Sequence, residues 1–203
     1  MSAKSIKALF WDVGGVLLSN AWDHSERGRA VEQFRLNSND FEERHKAAVV
    51  AFEEGKLTLD EYLDRTVFYT KRDFTRDSFK QFMFSLSQPK PQVLELARDL
   101  ASRYLMVTIN NESRELNEYR IRHFGLAQIF DLFITSCYVG LRKPDVPIYR
   151  LALDLLQKSP DECYFIDDRP ENIQGAKQAG LHAVLMRDVA QLKKDLQLLG
   201  IAA

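Results

Sequence analysis

Three apolar runs in this chain end abruptly in groups able to hold an anion or a cation. Leu9-Phe10-Trp11 stops at Asp12 and continues as Val13-Gly14-Gly15-Val16. Leu105-Met106-Val107-Thr108-Ile109 stops at Asn110-Asn111, and Cys163-Tyr164-Phe165-Ile166 stops at Asp167-Asp168. A short apolar run closed by a turn signal is the pattern of a strand buried on both faces of a parallel sheet. Ligands of such sheets bind at the carboxyl ends of the strands. As parallel neighbours, these strands would gather Asp12, Asp167 and Asp168 into one pocket with two side-chain amides. Like charges that close cannot all ionise without a counter-charge. Lys143, in Leu141-Arg142-Lys143-Pro144-Asp145, offers one positive charge. A hard divalent cation held by oxygen ligands offers the rest. Each acid taken singly also fits a plain turn cap; the recurrence at separate strand ends favours a site.

The elements that must position these groups are legible in outline. After Gly14-Gly15, whose missing side chains let the backbone approach a ligand, the pattern turns helical over residues 19–88. Asn37 or Asn39 caps a helix running to Phe52, with Gly55 as its stop. Thr58-Leu59-Asp60-Glu61 is a capping box. Phe79, Phe82, Met83 and Leu86 recur on one helical face, the spacing of a bundle core rather than a cofactor contact. Pro89 and Pro91 mark the return to alternating helices and strands: helix 93–102, strand 104–109, a helix capped by Ser113 and stopped by Gly125, and strand 130–136. Pro144 suits a first helical position and sets Lys143 at a helix start. A helix through Ile148 and Leu156, the 163–166 strand, a helix from Pro170 to Ala179, strand 182–186 and helix 189–199 complete the chain. Alternation of this kind predicts an α/β fold with a doubly wound parallel sheet, interrupted by an inserted helical bundle.

Asp12-Val13-Gly14-Gly15-Val16, Asn110-Asn111, Lys143-Pro144 and Asp167-Asp168, in that order and spacing, resemble the four motifs of the haloacid dehalogenase superfamily. The likeness covers nearly the whole chain. It is nearest to the subfamily with a small helical cap after the first strand, which includes sugar-phosphate phosphatases, such as the glucose-1-phosphate type, and the phosphatase domain of soluble epoxide hydrolase. The resemblance implies a Rossmann-like core of residues 1–18 and 89–203, a cap of residues 19–88, and Mg²⁺ as cofactor. It implies a small phosphorylated metabolite as substrate, cleaved through an aspartyl-phosphate. Asp12 would be the nucleophile and Lys143 the charge balance on it and on the phosphoryl oxygens. Asn110 and Asn111 would donate amide hydrogens to those oxygens beside Gly14. Asp12, the Gly14 carbonyl and Asp168 would surround the metal, with Asp167 in support.

Two positions depart from the family pattern. Gly14 stands where an acid usually protonates the leaving group, a role worth ~10²–10⁴-fold. Asn110 stands where a hydroxyl residue is usual, a milder change because an amide also donates. Asp23 and His24, just past the turn, are candidates to reach back over the site, although a solvent-facing helix start is the simpler role for His24. Glu171 and Asn172 suit capping, Asn172 with the further option of orienting Asp168, and Arg169 suits the surface. Gly14 keeps two alternatives open: a 2-haloacid dehalogenase, which needs no metal, and a non-catalytic fold that binds a phosphorylated ligand.

Composition sets the limits. The 203 residues can bury one substantial core with a modest insertion. A formal net charge of −1 creates no field for nucleic acid or an acidic membrane surface. Hydrophobic content of 45% with 28% charged residues is that of an ordinary soluble protein. No apolar run approaches membrane-spanning length. Lysines precede an apolar stretch at residues 1–18, but Asp12 interrupts it and no small-residue cleavage site follows, so no leader is expected. Cys137 and Cys163 lack metal or redox spacing and read as buried thiols of a reducing, cytoplasmic protein.

Overall fold

Five short strands lie in the order β3-β2-β1-β4-β5, every neighbouring pair parallel. They are β1 (Ala8–Trp11), β2 (Leu105–Asn110), β3 (Leu132–Thr135), β4 (Cys163–Asp167) and β5 (His182–Leu185). The computed structural model describes residues 5–201; residues 1–4, the lysine-bearing start of the supposed leader stretch, lie outside the described residues.

The period-2 alternation of a strand sorts the sheet's side chains into two cores. Leu9, Trp11, Met106, Tyr164 and Ile166 pack with α5 (Pro91–Ala101) and α10 (Val189–Leu198). Ala8, Phe10, Val107, Ile109, Cys163 and Phe165 pack on the other face with α8 (Val146–Leu156) and α9 (Pro170–Gln178). Both faces are covered, which is why these strands read as unbroken apolar runs.

Between β1 and α5 the chain builds four helices with a core of their own: α1 (His24–Gln33), α2 (Ser38–Glu53), α3 (Leu59–Thr66) and α4 (Arg76–Ser85). Asn37, rather than Asn39, caps α2, its side chain accepting from Asp40 N, and Thr58 and Glu61 close a reciprocal capping box. Phe79 is fully buried among the rings of Trp22, Phe34, Phe68 and Phe74. Its truncation to alanine would cost about 3–5 kcal/mol. The two connections to this insert are paired: Ser19 N donates to Gln88 O at 2.8 Å and Lys90 N to Leu17 O at 3.0 Å.

Two other helices, α6 (Arg114–His123) and the short α7 (Ser136–Val139), complete the fold. The insert meets this part of the core closely. Gly55 has φ +73°, and a β-carbon there would lie 2.0 Å from Cys137 O. Ser136 Oγ donates to Glu53 O at 2.6 Å, and Leu59 N donates to Glu115 Oε1 at 2.8 Å.

The start of α8 differs from the sequence expectation. Pro144 is not a first helical residue: α8 begins at Val146, with Asp145 as N-cap and Pro147 in the first turn. Pro147 satisfies the same preference for a residue without an N–H at a helix start, which frees Lys143-Pro144 to remain loop.

Candidate active site

Register brings the motifs together. Trp11 pairs with Thr108 on one side and Ile166 on the other. Asp12, Asn110 and Asp167 therefore leave the sheet at the same edge. From β2 the chain moves outward to β3 and then crosses to β4 beyond β1, so this edge is the switch point at which open α/β sheets bind ligands.

Lys143 reaches the edge from its loop because Asn111 grips the backbone there. Lys143 N donates to Asn111 Oδ1 at 2.9 Å, and Asn111 Nδ2 donates to Lys143 O at 2.8 Å. Lys143 is 3% exposed, and its ammonium lies 2.8 Å from Asp12 Oδ1 and 2.7 Å from Asp167 Oδ2. Burial opposes its charge, but Asp12 and Asp167 outweigh burial and raise its pKa. Gly175 of α9 makes room for this loop: a β-carbon there would stand 2.0 Å from Pro144 O.

Asp167 is fully buried and both of its oxygens are engaged. Arg169 N donates to Oδ1 at 2.8 Å, and Asn172 Nδ2 lies 3.0 Å from each oxygen. Asn172 thus orients Asp167, not Asp168. Asp168 sits beneath the first turn, where Gly15 (φ +75°) leaves room for it: a β-carbon there would lie 1.9 Å from Asp168 Oδ2. Asp168 Oδ1 is buried without a hydrogen-bond partner, and so is Asn110 Nδ2.

The electrostatics are those of an acid-rich pocket with too little positive charge. Asp12, Asp167 and Asp168 each offer an oxygen within 4.8 Å of the others. Burial raises the Asp12 pKa most; Lys143 pulls it back, while Asp167 and Asp168 push it further up. Asp168 is raised by burial and then by Asp167. Three carboxylates, one ammonium and an orphaned buried oxygen suit a hard dication with oxygen ligands.

A cavity of about 350 Å³ opens over these groups. Asp12, Gly14, Asn110 and Lys143 lie on its sheet side, and Trp22, His45 and Phe52 come from the insert. Arginines given no part in the site by the sequence also line it, each held by a carboxylate. Arg27 makes a bidentate pair with Glu42 at 2.9 and 3.0 Å. Arg142 Nε donates to Glu53 at 2.8 Å, and Arg169 Nη2 to Asp23 at 2.7 Å. The last two pairs join the core to the insert. Arg169 is exposed, as its surface reading expects, yet it belongs to the cavity wall.

Arg120 is the least expected of these groups, because it is 1% exposed. Its guanidinium donates to Glu112 Oε2 at 2.9 Å, Ser87 Oγ at 3.2 Å and Ser19 O at 2.6 Å. It thereby ties both connections of the insert to α6. The available signal was its place on the same helical face as buried Leu116 and Asn117. Burial foremost pushes Glu112 up to about 7. Arg120 Nη1 would lie 3.5 Å from a β-carbon on Gly14, so this ion pair borders the corner where the family's acid would project. His24 does not reach the cavity. Its side chain is 85% exposed and 3.9 Å from Glu42, whereas Asp23 lines the wall and caps α1.

Fold and site together define a hydrolase of the haloacid dehalogenase-like family: residues 6–180 match that family's model, and the chain belongs to it. Among its relatives is bifunctional epoxide hydrolase 2 of Rattus norvegicus, 40% identical over 72 residues, or 36% of this chain and 13% of that protein. Another is the chloroplast flavin mononucleotide hydrolase 1 of Arabidopsis thaliana, 30% identical over 164 residues, 78% of this chain and 64% of the relative. The chain thus spans less than two thirds of either relative. A haloacid dehalogenase family enzyme from Bacteroides thetaiotaomicron, solved as a magnesium complex, shares the fold with a TM-score of 0.80. It is 20% identical, over 93% of this chain and 98% of that one.

Proposed function

We propose that this protein is a Mg²⁺-dependent phosphatase of small phosphorylated metabolites, sugar phosphates among them, acting through an aspartyl-phosphate on Asp12. The observation that carries the reading is the asymmetry of the Asp12 carboxylate. Oδ1 accepts from Val13 N at 2.7 Å and from Lys143 Nζ at 2.8 Å. Oδ2 takes no hydrogen bond from the described residues, and Asp12 lines the cavity. In the first step Oδ2 attacks phosphorus, the P–O ester bond breaks, and the alcohol leaves with the electron pair and takes a proton from solvent water. Water then attacks phosphorus, freeing inorganic phosphate and the Asp12 carboxylate.

Lys143 balances charge on Asp12 and on the phosphoryl group. Asn110, whose amide nitrogen lacks a partner, donates to a phosphoryl oxygen. Asn111 and Asp167 act through Lys143, whose backbone and ammonium they fix. Mg²⁺ bound to Asp12, Asp168 and the Gly14 carbonyl would neutralise the phosphoryl oxygens. With no acid at position 14, esters of alcohols that leave readily are favoured. Residues 19–88 serve as a cap that shields the site from water and selects the substrate.

No helix among the described residues is long and apolar enough to cross a membrane. Cys137 and Cys163 are buried free thiols, both pushed up to about 12 by burial, in keeping with a cytoplasmic setting.

The test is phosphate release from a panel of phosphorylated metabolites with Mg²⁺ and with a chelator. Mg²⁺-dependent release supports the proposal. Chelator-resistant halide release from 2-haloacids would instead indicate the dehalogenase, a reading disfavoured because crowded carboxylates repel that substrate. Thermal stabilisation by ligands without any release would indicate a binding protein.

A further inference from the structure

His45 of α2 is buried, 6% exposed, yet it lines the cavity that holds Asp12 and Lys143. Its ring Nδ1 lies 2.8 Å from the Tyr62 hydroxyl, and that hydroxyl accepts from Trp22 Nε1 at 2.9 Å. Proton accounting along this chain allows an order that leaves a ring donor facing the cavity. An indole N–H can only donate, so the Tyr62 oxygen is the acceptor on that side. With the phenolic proton directed to His45, Nδ1 is an unprotonated acceptor. The ring proton is left on Nε2, the usual way a hydrogen bond at one nitrogen selects the tautomer at the other. Nε2 has no hydrogen-bond partner among the described residues, and it is absent from the buried, unpartnered polar atoms. It therefore retains access to the cavity.

The surroundings keep the ring neutral. Burial, followed by the charge of Arg27, lowers the His45 pKa to about 4, against weaker opposing effects of Glu42 and Asp23. Phe52 stacks on Tyr62 with centroids 4.2 Å apart and planes at 9°, so the phenol that sets the tautomer is itself held in place. The fully buried Tyr62 completes a rigid aromatic unit with Trp22, which also lines the cavity.

We propose that His45 is a specificity-determining residue: a neutral Nε2–H donor, locked by Trp22 and Tyr62, that binds a hydroxyl or carbonyl oxygen on the leaving-group part of the substrate. The inference rests on the phosphatase reading above. The phosphoryl group belongs at the sheet edge with Asp12 and Lys143, so the wall contributed by the insert faces the remainder of the ester. Aromatic rings, a neutral Nε2–H donor and arginines already paired with carboxylates fit a neutral polyhydroxy or carbonyl-bearing alcohol. An ammonium group would meet an N–H donor and the Arg27 charge. Tyr62 is the positioning residue, acting only through the imidazole.

The experiment compares a hydroxylated sugar phosphate with phenyl phosphate, which carries no hydroxyl, in the full chain with Mg²⁺. Wild type, His45→Phe, His45→Gln and Tyr62→Phe are measured for kcat and KM and for thermal stabilisation by each ester. His45→Phe should lower the preference for the sugar phosphate about three- to tenfold, the worth of one neutral hydrogen bond, chiefly through KM. His45→Gln, whose amide N–H approximates Nε2–H, should restore much of it. Histidine ¹⁵N spectra should show the Nε2–H tautomer in wild type and a mixture in Tyr62→Phe. A loss shared equally by both esters, an unchanged preference, or a dominant Nδ1–H tautomer overturns the proposal. If no ester is hydrolysed, the phosphatase reading fails by itself, and the thermal-shift preference and the spectra still decide the role of His45.

Discussion

Replacing Gly15 by alanine probes the proposed metal site without replacing any of the residues assigned to it. Gly15 holds φ +75°, a region that costs an ordinary residue roughly 1–2 kcal/mol. The new β-carbon would also stand 1.9 Å from Asp168 Oδ2, 2.4 Å from Cγ and 2.8 Å from Oδ1. All three atoms lie inside any tolerable contact, so rotation of the carboxylate alone gives no escape. Restoring a non-bonded separation of about 3.5 Å requires a shift of roughly 1.5 Å. Misplacement by about 1 Å can cost ~10²-fold in rate. Gly15→Ala should therefore remain folded, lose about 1–2 kcal/mol in urea unfolding, and lose at least ~10²-fold in Mg²⁺-dependent phosphate release. Mg²⁺ titration followed by thermal stabilisation gives an activity-independent readout, which should weaken to the level of Asp168→Ala. Because both changes act on one carboxylate, the double variant should be little worse than either single one. Wild-type Mg²⁺ affinity and turnover in Gly15→Ala would refute the assignment of Asp168 to the metal.

Asp12→Asn should abolish turnover and raise thermal stability, since one of three crowded carboxylates is neutralised; residual turnover near wild type would exclude the covalent route. Gly14→Asp has room, with Arg120 Nη1 and Asn20 Oδ1 each 3.5 Å from the new β-carbon. It should raise turnover on poor leaving groups, and no gain would mean that Arg120 holds the added acid ionised. Asn111→Ala removes both hydrogen bonds to the Lys143 backbone and should cost about 1–3 kcal/mol and lower kcat; an unaltered kcat would detach Asn111 from the positioning of Lys143. His45 has a folded pKa of about 4 against an ordinary 6.5. Its stabilising contribution is therefore complete above the unfolded value and is lost as pH falls through about 4, a difference of about 3 kcal/mol. His45→Gln should flatten the fall in unfolding free energy between pH 7 and 4.5, and parallel slopes in the two proteins would count against a buried neutral imidazole.

The strands were legible because burial on both faces writes itself as short apolar runs, and their polar ends marked the edge where Asp12, Asn110 and Asp167 emerge. Local chemistry was equally readable: the Thr58–Glu61 box, a cap at Asn37 or Asn39 and the aromatic face of Phe79 and Met83 each depend on residues a few positions apart. What the linear order could not decide was how groups from distant segments divide their hydrogen bonds. Asn111, expected on phosphate, has both ends of its amide on the Lys143 backbone, and Asn172 holds Asp167 rather than Asp168. Arg120 reads as one more charge on an ordinary helix until the fold buries it against Ser19, Ser87 and Glu112, 101, 33 and 8 positions away. The hydrogen-bonded contact of Trp22, Tyr62 and His45 is likewise a property of three rings packed together. Hydrophobic periodicity records which face of an element is buried; only packing decides which polar group stands opposite another, and that choice sets the chemistry of this cavity.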